Sequence, residues 1–343
     1  MVTGGEQMVC VTGAGGFIGS WLVKELLHRG YAVRGAAREP ADIKNAHLYV
    51  LDGGREGLSL YRADVLDRNS LRAAFALCDG VFHVASPVSN DPELLPAAIE
   101  GTKNVINAAA DMGVKRVVFT SSFGAVYMNP NRRSDQIVDE SCWSDLEFCK
   151  QTQVDSHITN GLLETIITNL PHRWYSAELV LLREDVGRED GDGGGVEERG
   201  AAVGGRAGRH LSTYMRGTKE CVPERRRRVR RRARDVARAH ALVYEHRGAH
   251  GRYLCIGSVI HRSDFVRLLR ELFPQYPITS RCEDNSKPMV KSYKFSVQRL
   301  EALGMQFTPL KESLYNTVIK LTRQGSSTCS NLMSFSLVNH DQI

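Results

Sequence analysis

The 343-residue sequence contains no apolar run that approaches the roughly 20 residues a membrane-spanning helix requires. Its first ten residues lack a charged stretch followed by an apolar one, which is the pattern of a secretion signal. None of the eight cysteines forms a Cys-x-x-Cys pair, and no histidine-rich metal spacing accompanies them. We therefore expect a cytoplasmic protein with reduced thiols, no membrane contact, no metal site and no disulfide framework.

The positive charge of the sequence is confined to one stretch. The formal net charge is +6, but eight arginines lie between Arg225 and Arg234, and the balance without them is −2. Such a run can neutralise nucleic-acid phosphates, so a nucleic-acid-binding arm is one interpretation. No aromatic stacking platform and no pattern of a nucleic-acid-binding fold accompanies the arginines. The sequence as a whole does not favour a nucleic-acid partner.

The first motif is a glycine turn between a β-rich run and a helical one. In "MVCVTGAGGFIGSWLVKELL", Gly13, Gly16 and Gly19 recur at three-residue spacing, with Phe17 and Ile18 at the start of the helical run. A strand, turn and helix of this kind bind a pyrophosphate, because the backbone can approach it and the helix presents free N–H groups. An ordinary glycine turn before a helix is the alternative.

A cationic residue ends the second predicted strand, "YAVRGAAR". In a dinucleotide-binding unit this position meets the adenosine ribose, where an acidic residue favours the free 2′-hydroxyl and an arginine favours a 2′-phosphate. Arg38 and Lys44 therefore indicate NADP, although two solvated surface cations would give the same pattern. Later predicted strands carry further candidate cofactor residues at their carboxyl ends, namely Asp64, Val65, Ala85 and Ser86.

The alternation of strands with helical segments predicts an α/β fold, a Rossmann-type doubly wound parallel sheet that binds ligands at the carboxyl ends of its strands. We divide the chain into four segments. These are an NADP-binding domain at 1–153, an aberrant insert at 154–233, the remainder of the sheet with a small C-terminal substrate lobe at 234–324, and a mobile tail at 325–343.

Residues 8–153 resemble the extended short-chain dehydrogenase/reductases, of the NAD-dependent epimerase/dehydratase type, and specifically the plant cinnamoyl-CoA reductase and dihydroflavonol reductase group. The resemblance rests on "CDGVFHVASPV", "GTKNVINAAA", "RVVFTSSFGAVYMNPNR" and the glycine motif, and it resumes at about Asp235 with "RDVARAHALVYE". It implies an NADP-dependent oxidoreductase of phenylpropanoid and lignin biosynthesis, which reduces a hydroxycinnamoyl-CoA thioester to the aldehyde. Reduction of a dihydroflavonol or another carbonyl substrate is the alternative.

The resemblance also implies a catalytic set that this chain does not complete. In the family Ser122 would hydrogen-bond the substrate carbonyl, while the tyrosine of a Tyr-x-x-x-Lys motif supplies the proton. None of the eleven tyrosines is followed by lysine four positions on, and Tyr175 is followed there by Leu179. A protein that binds NADP but does not catalyse is therefore a further hypothesis.

A shifted reading frame accounts for the missing motif. Leu179–Asp185 can be encoded by codons that read Trp-Tyr-Cys-Tyr-Gly-Lys one base later, and Val222–Arg232 can be encoded by codons that then read Tyr-Pro-Asn-Ala-Val-Ala-Ala-Tyr-Val-Asp-Val. Residues 154 to about 177 are compatible with a short unspliced intron. We therefore predict that 154–233 is aberrant and packs poorly, since glycine and charge dominate it.

Overall fold

The computed structural model describes eight ranges of the chain, and the statements below concern these alone: 7–86, 94–122, 124–133, 135–151, 177–181, 232–259, 262–276 and 294–315. Two compact units divide the chain. The first comprises Met1–Arg183, Ala233–Ile256 and Tyr293–Phe307, and the second comprises Glu184–Arg232, Gly257–Ser292 and Thr308–Ile343.

The first unit is built on a parallel sheet. Its described strands are β1 (Met8–Thr12), β2 (Ala32–Ala37), β3 (Leu58–Arg62), β4 (Gly80–His83), β5 (Arg116–Ser122), β6 (Ile137–Val138), β7 (Ala177–Leu181), β8 (Arg252–Cys255) and β9 (Lys294–Phe295). Seven strands form the main sheet in the order β3-β2-β1-β4-β5-β7-β8, and β6 pairs with β9 separately. The neighbours in the main sheet are all parallel. The order reverses between β1 and β4, which confirms the predicted doubly wound architecture.

Helices connect the strands. The described ones are α1 (Phe17–His28), α2 (Ala46–Tyr49), α3 (Gly54–Gly57), α4 (Arg68–Phe75), α5 (Leu94–Asp111), α6 (Gly124–Tyr127), α7 (Leu146–Gln151), α8 (Arg232–Glu245), α9 (Arg262–Leu272) and α10 (Gln298–Ala302), with a 3-10 turn at Ile43–Asn45. Of these, α9 lies in the second unit.

The main sheet has an apolar core on each face. Side chains alternate along a strand, so Val9 and Val11 of β1 face one core while Cys10 faces the other. The first core includes residues of α1 and α8, and the second includes residues of α4 and α5. A strand covered on both faces must be apolar throughout, which is why β1 reads as an unbroken hydrophobic run. Each large side chain buried here contributes about 1.5–3 kcal/mol.

Two polar contacts fix α8 on β5. The Arg116 guanidinium donates to the carbonyl oxygens of Val243, Tyr244 and His246 at 2.8–3.1 Å, which satisfies the end of the helix. In the helix itself, Nδ1 of His240 lies 2.8 Å from the Val236 carbonyl and Nε2 lies 2.7 Å from Thr120 Oγ1. The Nδ1–H therefore donates to the carbonyl, and the Thr120 hydroxyl donates to Nε2.

One part of the predicted insert belongs to the sheet. Strand β7, Ala177–Leu181, pairs with β5 through Ser122↔Leu181 and with β8 through Leu181↔Cys255. This corrects the prediction that the whole of 154–233 packs poorly. The aliphatic run Leu179–Leu181 is what an internal parallel strand requires, although charged residues follow it directly in the sequence. Residues 154–176 and 182–231, and the predicted tail 325–343, lie outside the described residues.

The second unit has a small core of its own. Leu268, Leu269 and Phe273 come from α9 and the residue that follows it, and Leu314 packs with them. The rings of Phe273 and Tyr315 are stacked with centroids 6.2 Å apart. These contacts join the end of α9 to the segment 310–315, in the region where the sequence predicts a substrate lobe.

Candidate functional site

The glycine turn between β1 and α1 needs its glycines for steric reasons. Gly13 has a φ of +67°, and a Cβ there would lie 3.0 Å from the Cα of Ala85. A Cβ on Gly19 would overlap the carbonyl oxygen of Gly13. The turn is therefore packed against both the end of β4 and the first turn of α1, as the Gly-x-x-Gly-x-x-Gly spacing predicts.

The N-terminus of α1 is left open to an anion. Gly16 is the N-cap, no side chain caps the helix, and its first turn contains no acidic residue. Free N–H groups and the positive end of the helix dipole favour negative charge at such a terminus. Gly16 and Phe17 are exposed, whereas Ile18 packs partly against the first core. Backbone and geometry here fit a phosphate.

A buried network joins the carboxyl ends of β1 and β4. Thr12 Oγ1 accepts hydrogen bonds from the N–H groups of Val84 and Ala85, each at 3.1 Å, and lies 2.9 Å from Nδ1 of His83. Because its oxygen already accepts twice, the Thr12 hydroxyl donates to Nδ1, and Nε2–H of His83 donates to Thr102 Oγ1 at 3.1 Å. Burial lowers the pKa of His83 to about 4, so the imidazole is neutral at pH 7.

The two predicted cations lie after β2 in different surroundings. Arg38 directly follows the strand, is exposed and makes no ion pair with any other described residue. Lys44 lies in the 3-10 turn, where its Nζ is 2.6 Å from Oδ2 of Asp42. The neighbouring carboxylate Glu39 faces Arg62 at 3.9 Å. The Arg38 guanidinium is therefore available to an anionic ligand, whereas the Lys44 ammonium group would contact such a ligand while it remains paired with Asp42.

The remaining candidate cofactor residues follow β3 and β4. Asp64 accepts the Leu66 N–H at 2.9 Å through Oδ1, so its carboxylate shapes the turn after β3. Val65 is partly buried, and its carbonyl oxygen accepts from Asn104 Nδ2 at 3.2 Å. Ala85 lies against Gly13, and Ser86 beside it is exposed. All of them lie at the carboxyl edge of the sheet, as predicted.

Ser122 is the last residue of β5 and is half-buried. It lies at the same edge of the sheet as the glycine turn, because the strands are parallel. The preceding Ser121 points to the opposite face, where its Oγ is buried and has no hydrogen-bond partner among the described residues. A tyrosine with lysine four positions on is absent from the whole sequence.

Sequence reasoning missed two features of this edge. One is the Thr12–His83 pair, which was detectable as two polar residues at the ends of otherwise apolar strands. The other is Asn45, which is buried against the glycine turn although it lies in a polar, exposed turn.

Neither a helix long and apolar enough to cross a bilayer nor a cluster of three metal-binding side chains occurs in the part of the chain that the structure describes.

Comparison with known proteins places the chain in a family. Residues 9–146 match the NAD dependent epimerase/dehydratase family. The chain is 56% identical to cinnamoyl-CoA reductase 1 of Oryza sativa subsp. japonica, over 94% of this chain and 92% of that protein. It is 46% identical to cinnamoyl-CoA reductase 1 of Petunia hybrida, over 93% of each.

A solved structure with the same fold is yeast methylglyoxal/isovaleraldehyde reductase Gre2 complexed with NADPH. It is 21% identical, with a TM-score of 0.68 over 93% of this chain and 99% of that one. The predicted resemblance is confirmed by the identity to these cinnamoyl-CoA reductases over nearly the whole chain. The chain belongs to the cinnamoyl-CoA reductase and dihydroflavonol reductase group of the extended short-chain dehydrogenase/reductases, within the NAD dependent epimerase/dehydratase family.

Proposed function

We propose that this protein binds NADPH at the carboxyl edge of its sheet. The observation that carries the proposal is the pairing of an open, uncapped α1 N-terminus with an exposed arginine directly after β2. The diphosphate would lie on the glycine turn, and the Arg38 guanidinium would hold the 2′-phosphate. Lys44 would add a second positive charge, and Asp64, Val65, Ala85 and Ser86 would line the adenosine and ribose side.

We propose that the reaction is the one that the relatives' names describe, the reduction of a hydroxycinnamoyl-CoA thioester, and that it takes place in the cytoplasm. Bound NADPH supplies the hydride. The carbonyl carbon gains that hydride, its bond to sulfur breaks, a proton is taken up, and the aldehyde and free CoA thiol are the products. Ser122 would donate a hydrogen bond to the carbonyl oxygen and orient it, since negative charge develops there.

The chain as written lacks the group that completes this reaction. A serine hydroxyl is too weak an acid to replace a tyrosine whose pKa a neighbouring lysine lowers. Loss of a positioned general acid typically costs about 10²–10⁴ in rate. The absence of Tyr-x-x-x-Lys therefore favours a second candidate function, a member of the family that binds NADPH with little or no turnover.

Coenzyme titration tests the proposal. NADPH and NADH are added separately to the full chain, to Arg38→Ala and to Lys115→Ala, and coenzyme fluorescence reports binding. Lys115 is a matched control because it is an exposed, ion-paired cation at the amino ends of the strands. Loss of a charge-assisted contact worth about 1.5–3 kcal/mol should weaken NADPH binding about tenfold or more in Arg38→Ala alone. Equal affinity of the unaltered chain for both coenzymes would overturn the proposal.

A further inference from the structure

The turn that carries Lys44 is attached to the glycine turn by Asn45. Only 1% of this residue is exposed. Its Nδ2 donates to the carbonyl oxygens of Glu39 at 2.8 Å and Pro40 at 3.3 Å. Since both partners can only accept, the orientation of the amide is fixed. The side chain therefore closes the loop that starts at Arg38.

The other amide atom of Asn45 faces the glycine turn. Its Oδ1 is buried without a hydrogen-bond partner among the described residues, and a Cβ on Gly15 would overlap it. Gly15 is not part of the Gly13, Gly16, Gly19 spacing, and the atoms that a Cβ there would meet belong to Asn45. An acceptor oxygen would repel an anion, and Asn45 therefore sets a distance between two loops and does not bind phosphate itself.

A second contact joins the same two regions. His47 Nδ1 lies 2.6 Å from the Lys44 carbonyl, and Nε2 lies 2.8 Å from Ser20 Oγ in α1. Ser20 Oγ also lies 2.5 Å from the Gly16 carbonyl oxygen. The Lys44 carbonyl can only accept, so Nδ1–H of His47 donates to it, and Nε2 shares a hydrogen bond with Ser20 Oγ. These hydrogen bonds of His47 thus connect the Lys44 turn, through Ser20, to the N-cap of α1.

We propose that Asn45 and His47 are positioning residues that determine coenzyme specificity. They hold the loop of Arg38 and Lys44 against the glycine turn, so that one ligand can place its diphosphate on α1 and its 2′-phosphate on Arg38 together. The inference rests on the proposed NADPH site. A loop fixed in advance gives up less entropy on binding, and the gain applies only to a ligand that carries the 2′-phosphate.

The test measures the dissociation constants of NADPH and NADH for the unaltered chain, Asn45→Ala, His47→Gln and Asn129→Ala. Asn129 is the control, because it is an asparagine whose Oδ1 accepts a local hydrogen bond, from the Asn131 N–H at 2.9 Å, in the turn after α6. We expect NADPH binding to weaken about tenfold in Asn45→Ala and less in His47→Gln, with NADH binding changed less than about twofold. His47→Gln alters an exposed side chain and keeps the test open if Asn45→Ala does not fold.

The double variant Gly15→Ala/Asn45→Ala adds a sharper readout. Gly15→Ala alone should lose NADPH binding, because its methyl group overlaps Oδ1 of Asn45, and Asn45→Ala should relieve that loss. Equal weakening of both coenzymes, or no change in either, would overturn the inference while leaving the NADPH site intact. An unaltered chain that binds neither coenzyme would overturn the proposed function as well.

Discussion

Replacing Thr12 by valine removes one hydroxyl on which three polar groups depend. The N–H groups of Val84 and Ala85 lose their acceptor, and Nδ1 of His83 loses its donor. Valine has nearly the same shape, so packing changes little while the polar groups stay unsatisfied. Each orphaned group costs about 1–3 kcal/mol, but both N–H groups are only partly buried. We expect a loss of about 2–4 kcal/mol in the free energy of unfolding.

Urea denaturation of Thr12→Val, Thr12→Ser and the unaltered chain measures this loss. Serine keeps the hydroxyl and removes one buried methyl group, so that variant should lose only about 1 kcal/mol. Because Ala85 packs on Gly13, Thr12→Val should also weaken coenzyme binding. Equal destabilisation by serine and valine would show that the methyl group, and not the hydrogen-bond network, holds the ends of β1 and β4 together.

Two further predictions concern stability. Burial lowers the folded-state pKa of His83 and of His240 to about 4 from 6.5, so the unfolded chain binds more protons between these values, and stability is lost as the pH falls through that window. From pH 7 to pH 5 we expect each histidine to lower the free energy of unfolding by about 2 kcal/mol. In urea unfolding, His240→Asn should lose less stability over this range than the unaltered chain. An identical loss would show that His240 does not have the lowered pKa. Leu77 is 84% exposed and has a φ of +64°, a conformation that favours glycine, so Leu77→Gly should raise the free energy of unfolding by about 0.5–1 kcal/mol. Leu66 is the control, because it is also exposed but has no positive φ, and Leu66→Gly should lower the free energy of unfolding.

Much of this fold follows from local patterns in the sequence. The unbroken apolar run of β1 and the spacing of Gly13, Gly16 and Gly19 predict the strand, turn and helix, because each depends on residues close in sequence. The position of Arg38 directly after β2 could be predicted, because the pattern of that strand is local. The position of Asn45 could not be predicted, since its contact with Gly15 spans thirty residues and arises only when the loops pack. Strand β7 was missed because five aliphatic and polar residues beside a charged run carry little signal.

The central claim is that this chain combines an NADPH site with an incomplete catalytic set. The direct measurement is aldehyde formation from feruloyl-CoA and NADPH. It compares the chain as written with a repaired version in which Val154–Glu178 is removed and Leu179–Asp185 and Val222–Arg232 are replaced by the residues that their codons give one base later. We expect aldehyde from the repaired protein and a rate lower by about 10²–10⁴ or more from the unrepaired chain. Comparable rates from the two proteins would contradict it and would require another proton donor near Ser122.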